Sequence, residues 1–457
     1  MNLDKIHSVY FVGIGGIGMS ALARWFKHNG KAVSGYDKTK TSLTDQLVSE
    51  GLSIDFEDTV DTIDNSIRLS ADGVLVVYTP AIPSNHLGLN WFRDNGYEVL
   101  KRSEVLGVIT ENMTSVAVAG THGKTTTSSM IVHLLKTAGI DCTGFLGGIA
   151  TNYGTNMVLN DKPNSIAVIE ADEFDRSFLT LHPDVAVVTA ADADHLDIYG
   201  HKDALKDSFR EFIKQVKSNG HLFIKNELSK ELVGDTILSH TGYSLKEGGV
   251  RSENIRIQDS TFIFDYRNGS RDIDGIQLNV PGYHNVENML VAIAVCRSLG
   301  ADDESIKKGV RSYRGVKRRF EYKIKSKDLT FIDDYAHHPV EIDSLLRSVR
   351  DLYPNQKITA VFQPHLFTRT RDFAQEFSTS LSLADEVILL DIYPAREMPI
   401  EGVTSEMLLD GISAHKKVKA SKENLIDQIS EWKPEVLLTI GAGDIDKLVE
   451  PIKNALS

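Results

Sequence analysis

Cysteine is almost absent. The 457-residue chain has two, Cys142 and Cys296, each in a largely apolar stretch. Two are too few for a disulfide framework in a chain this long and fit a reducing compartment. Long hydrophobic runs are missing as well. The longest, such as Val74–Tyr78, are strand-length, and none approaches the ~20 residues that cross a bilayer. The opening MNLDKIHSVYFVGIGG lacks the charged start and extended apolar stretch of a secretory signal. Cations are in deficit: 50 Lys and Arg face 63 Asp and Glu, a net charge of −13. That balance argues against general binding of nucleic acid or of an anionic membrane, both of which need a basic face. Phosphates can still be held locally by backbone N–H groups. There is no internal repeat, low-complexity tract or long Pro/Gly/Ser linker, and 41% hydrophobic with 25% charged residues is ordinary globular composition. The absences together predict a soluble, cytoplasmic protein with no nucleic-acid partner and no membrane insertion.

What is present is an alternation of short β-branched runs with helical patterns. Strands are expected at Ser8–Val12, Gly73–Tyr78, Ser115–Ala119, Ile166–Ile169, Val185–Thr189, Thr330–Asp333, Ile358–Phe362, Val387–Leu390 and Val436–Ile440. Helices are expected at Gly123–Ala138, Asp203–Val216, Asn285–Leu299 and Pro339–Asp351. Such alternation specifies an α/β fold with parallel sheets covered by helices. Residues 253–280 differ, alternating apolar and polar as antiparallel strands do. The length suggests about three domains at ~150 residues each. Polar steps near Thr110–Thr114 and Ser312–Lys317 place them at 1–111, 112–314 and 315–457.

Two glycine loops carry chemistry. Ser8–Val12 runs into Gly13-Ile-Gly15-Gly16-Ile-Gly18 and then a helical stretch, the strand–loop–helix context in which G-x-G-x-x-G holds a pyrophosphate. Asp37, at the end of the next strand pattern, is where an acid can hold a ribose hydroxyl. NAD and a UDP-sugar both fit this loop. Ser115–Ala119 runs into Gly120-Thr121-His122-Gly123-Lys124-Thr125-Thr126-Thr127 and a helix. This is a P-loop: backbone N–H groups cradle phosphate, Lys124 reaches the terminal phosphates and the Thr125 hydroxyl meets Mg²⁺. Val118 stands where the strict motif has its first glycine, so the loop is a shortened variant. Glu170, at the end of Ile166–Ile169, is placed to hold Mg²⁺ directly or through water. Its neighbours Asp172, Glu173 and Asp175 read as a solvated loop. His195, in the acidic stretch after Val185–Thr189, is a candidate ligand for a second metal.

Eight motifs in order resemble the bacterial cell-wall Mur ligases over the whole chain. They are GIGGIGMS (Gly13–Ser20), GTHGKTTT (Gly120–Thr127), EADEFDRSFL (Glu170–Leu179), DHLDIY (Asp194–Tyr199), GYHNVEN (Gly282–Asn288), KRRFE (Lys317–Glu321), DDYAHHP (Asp333–Pro339) and QPHLFTRTRDF (Gln363–Phe373). The resemblance implies a Rossmann-like first domain for the sugar nucleotide. It implies a central P-loop ATPase-type domain with a mostly parallel sheet plus a small antiparallel part, and a Rossmann-like third domain that closes over the site. It turns Gly13, Gly15, Gly16 and Gly18 toward uridine diphosphate rather than NAD, and puts Asn285 and Asn288 near the ATP. Arg319 becomes an arginine finger on the γ-phosphate. Asp334 becomes a carboxylate that orients cationic side chains or the nucleotide.

Among the remaining motif residues, His337 reads as an amino-acid or phosphate contact, with no Cys or third His close in sequence to complete a metal site. Arg369 and Arg371, with His365, are candidates to grip carboxylates. GAGD at Gly441–Asp444 reads as fold architecture. Lys206 and Lys214 do not fit the spacing of the carbamylated lysine found in several related ligases, which is similar to the alanine-adding branch. That branch implies ATP-dependent joining of L-alanine to the lactyl carboxylate of UDP-N-acetylmuramate through an acyl phosphate, in a monomer or weak homodimer. The rivals are a ligase that attaches a recycled tripeptide to the same sugar nucleotide, an NAD-dependent oxidoreductase and a nucleotide-gated binding module.

Overall fold

The computed structural model describes residues 1–111, 113–160, 165–192, 202–234, 238–395 and 397–457. The first sheet comprises β1 (Ser8–Val12), β2 (Ala32–Tyr36), β3 (Ser53–Asp55), β4 (Val74–Tyr78) and β5 (Glu98–Lys101), all parallel, in the order β3-β2-β1-β4-β5. The order reverses at β1, so the first glycine loop leaves from the carboxyl end of the strand where open α/β sheets bind ligands.

The second sheet comprises β6 (Ser115–Ala119), β7 (Cys142–Ala150), β8 (Thr155–Val158), β9 (Ile166–Ala171), β10 (Val185–Val188), β11 (His221–Lys225) and β12 (His240–Tyr243), in the order β12-β11-β10-β6-β9-β7-β8. Only the edge pair β7–β8 is antiparallel. The P-loop strand β6 is thus central, flanked by β10 and by β9, whose Glu170 lies opposite Val118. β13 (Arg251–Gln258), β14 (Thr261–Arg267) and β15 (Ile273–Leu278) form the small sheet expected from the alternation at 253–280. The last sheet comprises β16 (Glu321–Lys325), β17 (Thr330–Asp334), β18 (Ile358–Phe362), β19 (Glu386–Leu389), β20 (Lys416–Lys419) and β21 (Val436–Ile440), in the order β16-β17-β21-β18-β19-β20. All its pairs are parallel except β16–β17.

The described chain folds as two compact units. One holds Met1–Glu253, Asp265–Ile276 and Glu287–Tyr313; the other holds Asn254–Phe264, Gln277–Val286 and Arg314–Ser457. Within the first, one continuous core runs from Phe11, Phe26 and Val77 to Phe178, Phe209 and Phe212, all fully buried. A large side chain buried in this way contributes ~2–3 kcal/mol. The helix Ile17–His28, which starts from the first glycine loop, is tied to β8 by Arg24, whose guanidinium bonds both Glu50 (2.8 and 2.7 Å) and Asn156. In the second unit the two faces of the last sheet carry separate apolar layers, one around Phe362 and Phe377 and one around Phe331 and Leu425. Cys142 and Cys296 are free, buried thiols, and burial raises the pKa of both, so neither is poised as a nucleophile.

Candidate active site

The first loop is shaped by its glycines. Gly13 has φ +91°, and a Cβ there would sit 2.8 Å from the Thr79 methyl. Gly16 caps the helix Ile17–His28 without a side chain. Asp37 braces the loop: its carboxylate accepts from the Gly15 N–H (2.8 Å) and the Thr39 N–H (3.0 Å). A Cβ on Gly18 would meet the Arg102 guanidinium at 2.8 Å. Arg102 lies 3.7 Å from Asp172. It lines a cavity of about 260 Å³ with Gly16, Gly18, Gly147, Glu170 and Asp172. The first glycine loop and the acid beside the P-loop therefore face one space.

The P-loop is equally constrained. Gly120 (φ +142°) and Gly123 (φ +80°) adopt conformations that favour glycine, and a Cβ on Gly123 would come within 2.9 Å of the Asn288 amide oxygen. Thr121 N–H donates to Ala190 O (3.1 Å), and the Thr121 hydroxyl accepts from Asp192 N–H (3.1 Å). His122 Nε2 lies 3.7 Å from Asp192. The helix Lys124–Thr137 is buried along nearly its whole length; Ser128 and Ser129 return their hydroxyls to its own carbonyls, at 3.1 and 2.8 Å. Thr125 and Thr126 are buried in its first turn.

Lys124 Nζ donates to Gly120 O (2.6 Å) and to both oxygens of Glu173 (3.0 and 2.7 Å). Glu173 is fully buried, which corrects the reading of this acid as part of a solvated loop. Burial works against the charge on Lys124, but Glu173, Asp172 and Glu170 outweigh it and raise the lysine pKa. Glu170 accepts from Gly147 N–H (2.9 Å) and from the Thr125 hydroxyl; burial raises its pKa, and Lys124 and Thr125 offset part of the shift. A hydroxyl and a carboxylate side by side at a phosphate loop are a donor set suited to Mg²⁺. No cluster of three or more His, Cys, Asp or Glu able to hold a metal occurs among the described residues. His195, with Asp194 and Asp197, lies outside those residues. Asn285 is buried and donates its amide to Pro281 O (2.6 Å).

The second unit gathers the C-terminal motifs. Arg319 stacks over Tyr335 (4.9 Å to the ring centre) and lies 3.9 Å from Glu341. The Asp334 carboxylate is buried and accepts from Phe320 N–H (2.7 Å) and Ala336 N–H (2.8 Å); burial pushes its pKa up to about 6. His337 Nδ1 is 3.2 Å from Tyr335 O and 3.3 Å from Glu341. His338 caps the helix that begins at Pro339, paired with Glu341. The His365 ring lies 5.9 Å from His337 and stacks on Tyr393 at 5.7 Å. Leu366, next in the chain, has φ +72°, strained backbone for a branched side chain. Arg369 is buried in the helix Phe367–Asp372, whereas the half-exposed Arg371 turns to Asp372 (2.7 Å). The sequence singled out neither Arg102 nor Tyr335, and it set Glu173 among solvated neighbours.

Comparison with known proteins places each region. A Mur ligase family catalytic-domain model matches residues 8–114, a Mur ligase middle-domain model 118–296, and a Mur ligase glutamate-ligase-domain model 318–443. The chain is 49% identical to the UDP-N-acetylmuramate–L-alanine ligase of Flavobacterium johnsoniae over 457 residues, covering 100% of this chain and 99% of that one. It is 47% identical to the ligase of the same name from Cytophaga hutchinsonii, covering 99% and 97%. The crystal structure of the UDP-N-acetylmuramate-alanine ligase MurC from Thermotoga maritima superposes with a TM-score of 0.82 at 28% identity, over 98% of this chain and 99% of that one. A murein peptide ligase from Psychrobacter arcticus shares the fold, with a TM-score of 0.70 at 22% identity over 98% of both chains. Matched by three family models in series and by relatives nearly half identical from end to end, the chain belongs to the Mur ligase family.

Proposed function

We propose that the chain is an ATP-dependent ligase that joins L-alanine to the lactyl carboxylate of UDP-N-acetylmuramate, releasing ADP and phosphate in the synthesis of peptidoglycan precursor. The observation that carries this reading is the cavity shared by the first glycine loop and Glu170. A sugar nucleotide seated on Gly13–Gly18 has room there to extend its carboxylate toward the phosphate held by the P-loop. The names of the relatives support the alanine branch over the tripeptide rival, whose solved representative shares the fold at lower identity. An NAD-dependent oxidoreductase would leave the P-loop and its buried Glu173–Lys124 pair without a use.

A carboxylate does not form an amide in water without activation. In the proposed mechanism it attacks the γ-phosphorus of ATP and becomes an acyl phosphate. The alanine amine then attacks the acyl carbon and phosphate leaves. Lys124 and Arg319 neutralise charge on the transferring phosphate. Mg²⁺ held by Thr125 and Glu170 would supply charge neutralisation between the ATP phosphates. His195 is kept as a proposed second-metal ligand. Asn285 and Asn288 are proposed for the ATP, and His337, His365, Arg369 and Arg371 for the amino acid and its carboxylate. Three functional domains, 1–111 for the sugar nucleotide, 112–314 for ATP and 315–457 for the amino acid and closure, remain the proposed division, with a cytoplasmic location and a monomer or weak homodimer.

The test is phosphate release from ATP with UDP-N-acetylmuramate, with and without L-alanine. Turnover should require both, and the tripeptide should not replace L-alanine. Lys124→Met should retain binding of the sugar nucleotide and lose turnover. A Lys124→Met enzyme that keeps near-wild-type turnover would remove the lysine from the mechanism.

A further inference from the structure

Arg319 is the middle residue of three whose backbone is unusually fixed. Its neighbours Arg318 (φ +60°) and Phe320 (φ +50°) both occupy the left-handed region, which side chains other than glycine rarely adopt. Two such residues in a row of three persist only where the surroundings over-determine them, and the contacts are specific. Arg318 N–H donates to Glu321 (2.8 Å), and Arg318 C=O accepts from Tyr335 N–H (2.7 Å). Arg319 N–H donates to Val316 O (3.1 Å), and Phe320 N–H to Asp334 (2.7 Å).

The Arg318 side chain shares the Tyr335 ring with Arg319 but makes its hydrogen bonds at the ends of the sheet strands. Its Nε donates to Asp333 (3.2 Å) and its Nη2 to the carbonyl of Gly441 (2.6 Å), and its guanidinium lies 5.3 Å from the Tyr335 ring centre. Asp333 is 1% exposed, and its other oxygen accepts from the Thr439 hydroxyl (2.8 Å). Gly441 (φ +145°) opens the GAGD loop, donates its own N–H to Asp334 O (3.1 Å), and has no room for a Cβ, which would lie 2.7 Å from Gln363 O. Arg318 is thus pinned at the carboxyl ends of both β17 and β21. Arg319 is the more exposed of the two, 32% against 20%, and lies 3.9 Å from Glu341. One arginine is fixed and the next is held ready. Only a planar fork can reach the carboxylate and the carbonyl together, so lysine is not an equivalent here.

We propose that Arg318 is a positioning residue for Arg319, and that the Asp333 carboxylate and the Gly441 carbonyl of the GAGD loop are the anchor through which it acts. The inference rests on the reading of Arg319 as the contact to the transferring phosphate. It gives the GAGD loop a use in the reaction beyond sheet architecture.

A double-mutant cycle on alanine-dependent phosphate release tests it, using the full chain and its two substrates with ATP. Arg318→Lys should lower kcat at least tenfold, with KM for UDP-N-acetylmuramate and the melting temperature little changed. In an Arg319→Ala background the same substitution should change kcat less than twofold, because there is no longer a finger to aim. A merely structural role gives the opposite result: Arg318→Lys multiplies the Arg319→Ala defect undiminished, or shifts melting and sugar-nucleotide binding together. Either of these overturns the proposal, as does an Arg318→Lys enzyme with kcat within twofold of wild type. Should Arg318→Lys not fold, Asp333→Asn, which removes the anchoring charge, is read by the same criteria. Wild-type kcat in Arg319→Ala alone overturns the phosphate-contact reading itself, and with it the inference.

Discussion

Lys124 and Glu173 face each other as a buried ion pair. Removing one partner leaves the other charged and unpaired, which costs roughly 3–5 kcal/mol. Glu173→Gln should therefore lower the melting temperature of the free protein. ATP supplies the missing negative charge, so it should raise the melting temperature of this variant more than that of wild type. Equal nucleotide-induced shifts in calorimetry would contradict a competition between Glu173 and phosphate for Lys124.

Asp334 gives a pH prediction. Its carboxyl is raised by burial from 3.8 to about 6, so between those values the native state holds a proton that the unfolded chain has lost. Stability contributed by this group therefore declines as pH rises through that window, by about 3 kcal/mol in all. Activity should move the other way. A protonated Asp334 accepts more weakly from Phe320 and Ala336 and loses the charge that faces Arg319, so kcat should rise with pH through about 6. Asp334→Asn should lose that limb; a limb that survives in the variant assigns it to another group.

The glycine positions were legible because a tight loop between strand and helix is a local requirement. Glu173 and Arg102 were not, because a buried acid and a cavity-lining arginine acquire their roles from partners 49 and 70 residues away in the chain, Lys124 and Asp172.

Among the elements, the buried central strands announce themselves as β-branched runs. β1, β6, β18 and β21 span the expected residues, and β9 and β17 run slightly further. Edge strands do not. β20 is Lys-Lys-Val-Lys and β12 is His-Thr-Gly-Tyr, half-exposed segments with no apolar run to mark them. The P-loop helix carries a feature that no periodicity shows. His133 joins Tyr153 (3.1 Å) and Ser312 (2.9 Å), while Ser129 meets the Tyr313 hydroxyl at 2.6 Å. The P-loop helix is thereby fastened to the last residues of the first unit. Burial pushes the His133 pKa down to about 4. Between that value and 6.5 the unfolded chain binds the extra proton, so stability from this group is present near neutrality and lost as pH falls, by about 3 kcal/mol. His133→Leu should flatten that part of the stability–pH curve in chemical denaturation. An unchanged slope would show that His133 is already protonated in the fold.

For the molecule as a whole, a charge of −13 has to be reconciled with the two polyanionic nucleotides proposed as its ligands. Positive potential is supplied locally: by glycine N–H groups at two helix starts, by Lys124, and by Arg102 in the cavity lining. Arg102→Leu should weaken UDP-N-acetylmuramate binding about tenfold, the loss of one charge-assisted contact, with ATP affinity unchanged in titration calorimetry. Parallel loss of both affinities would mean a collapsed site instead. The motif order identified the family, but not that the first loop and Glu170 line one cavity, since that depends on how the helix Ile17–His28 packs against β7 and β8. That shared cavity is the basis for direct attack of the sugar carboxylate on ATP, and isotope transfer tests it most directly. With ¹⁸O in the lactyl carboxylate of UDP-N-acetylmuramate, one labelled oxygen should appear in the phosphate released in the presence of L-alanine and ATP. Phosphate free of the label would contradict the acyl-phosphate route.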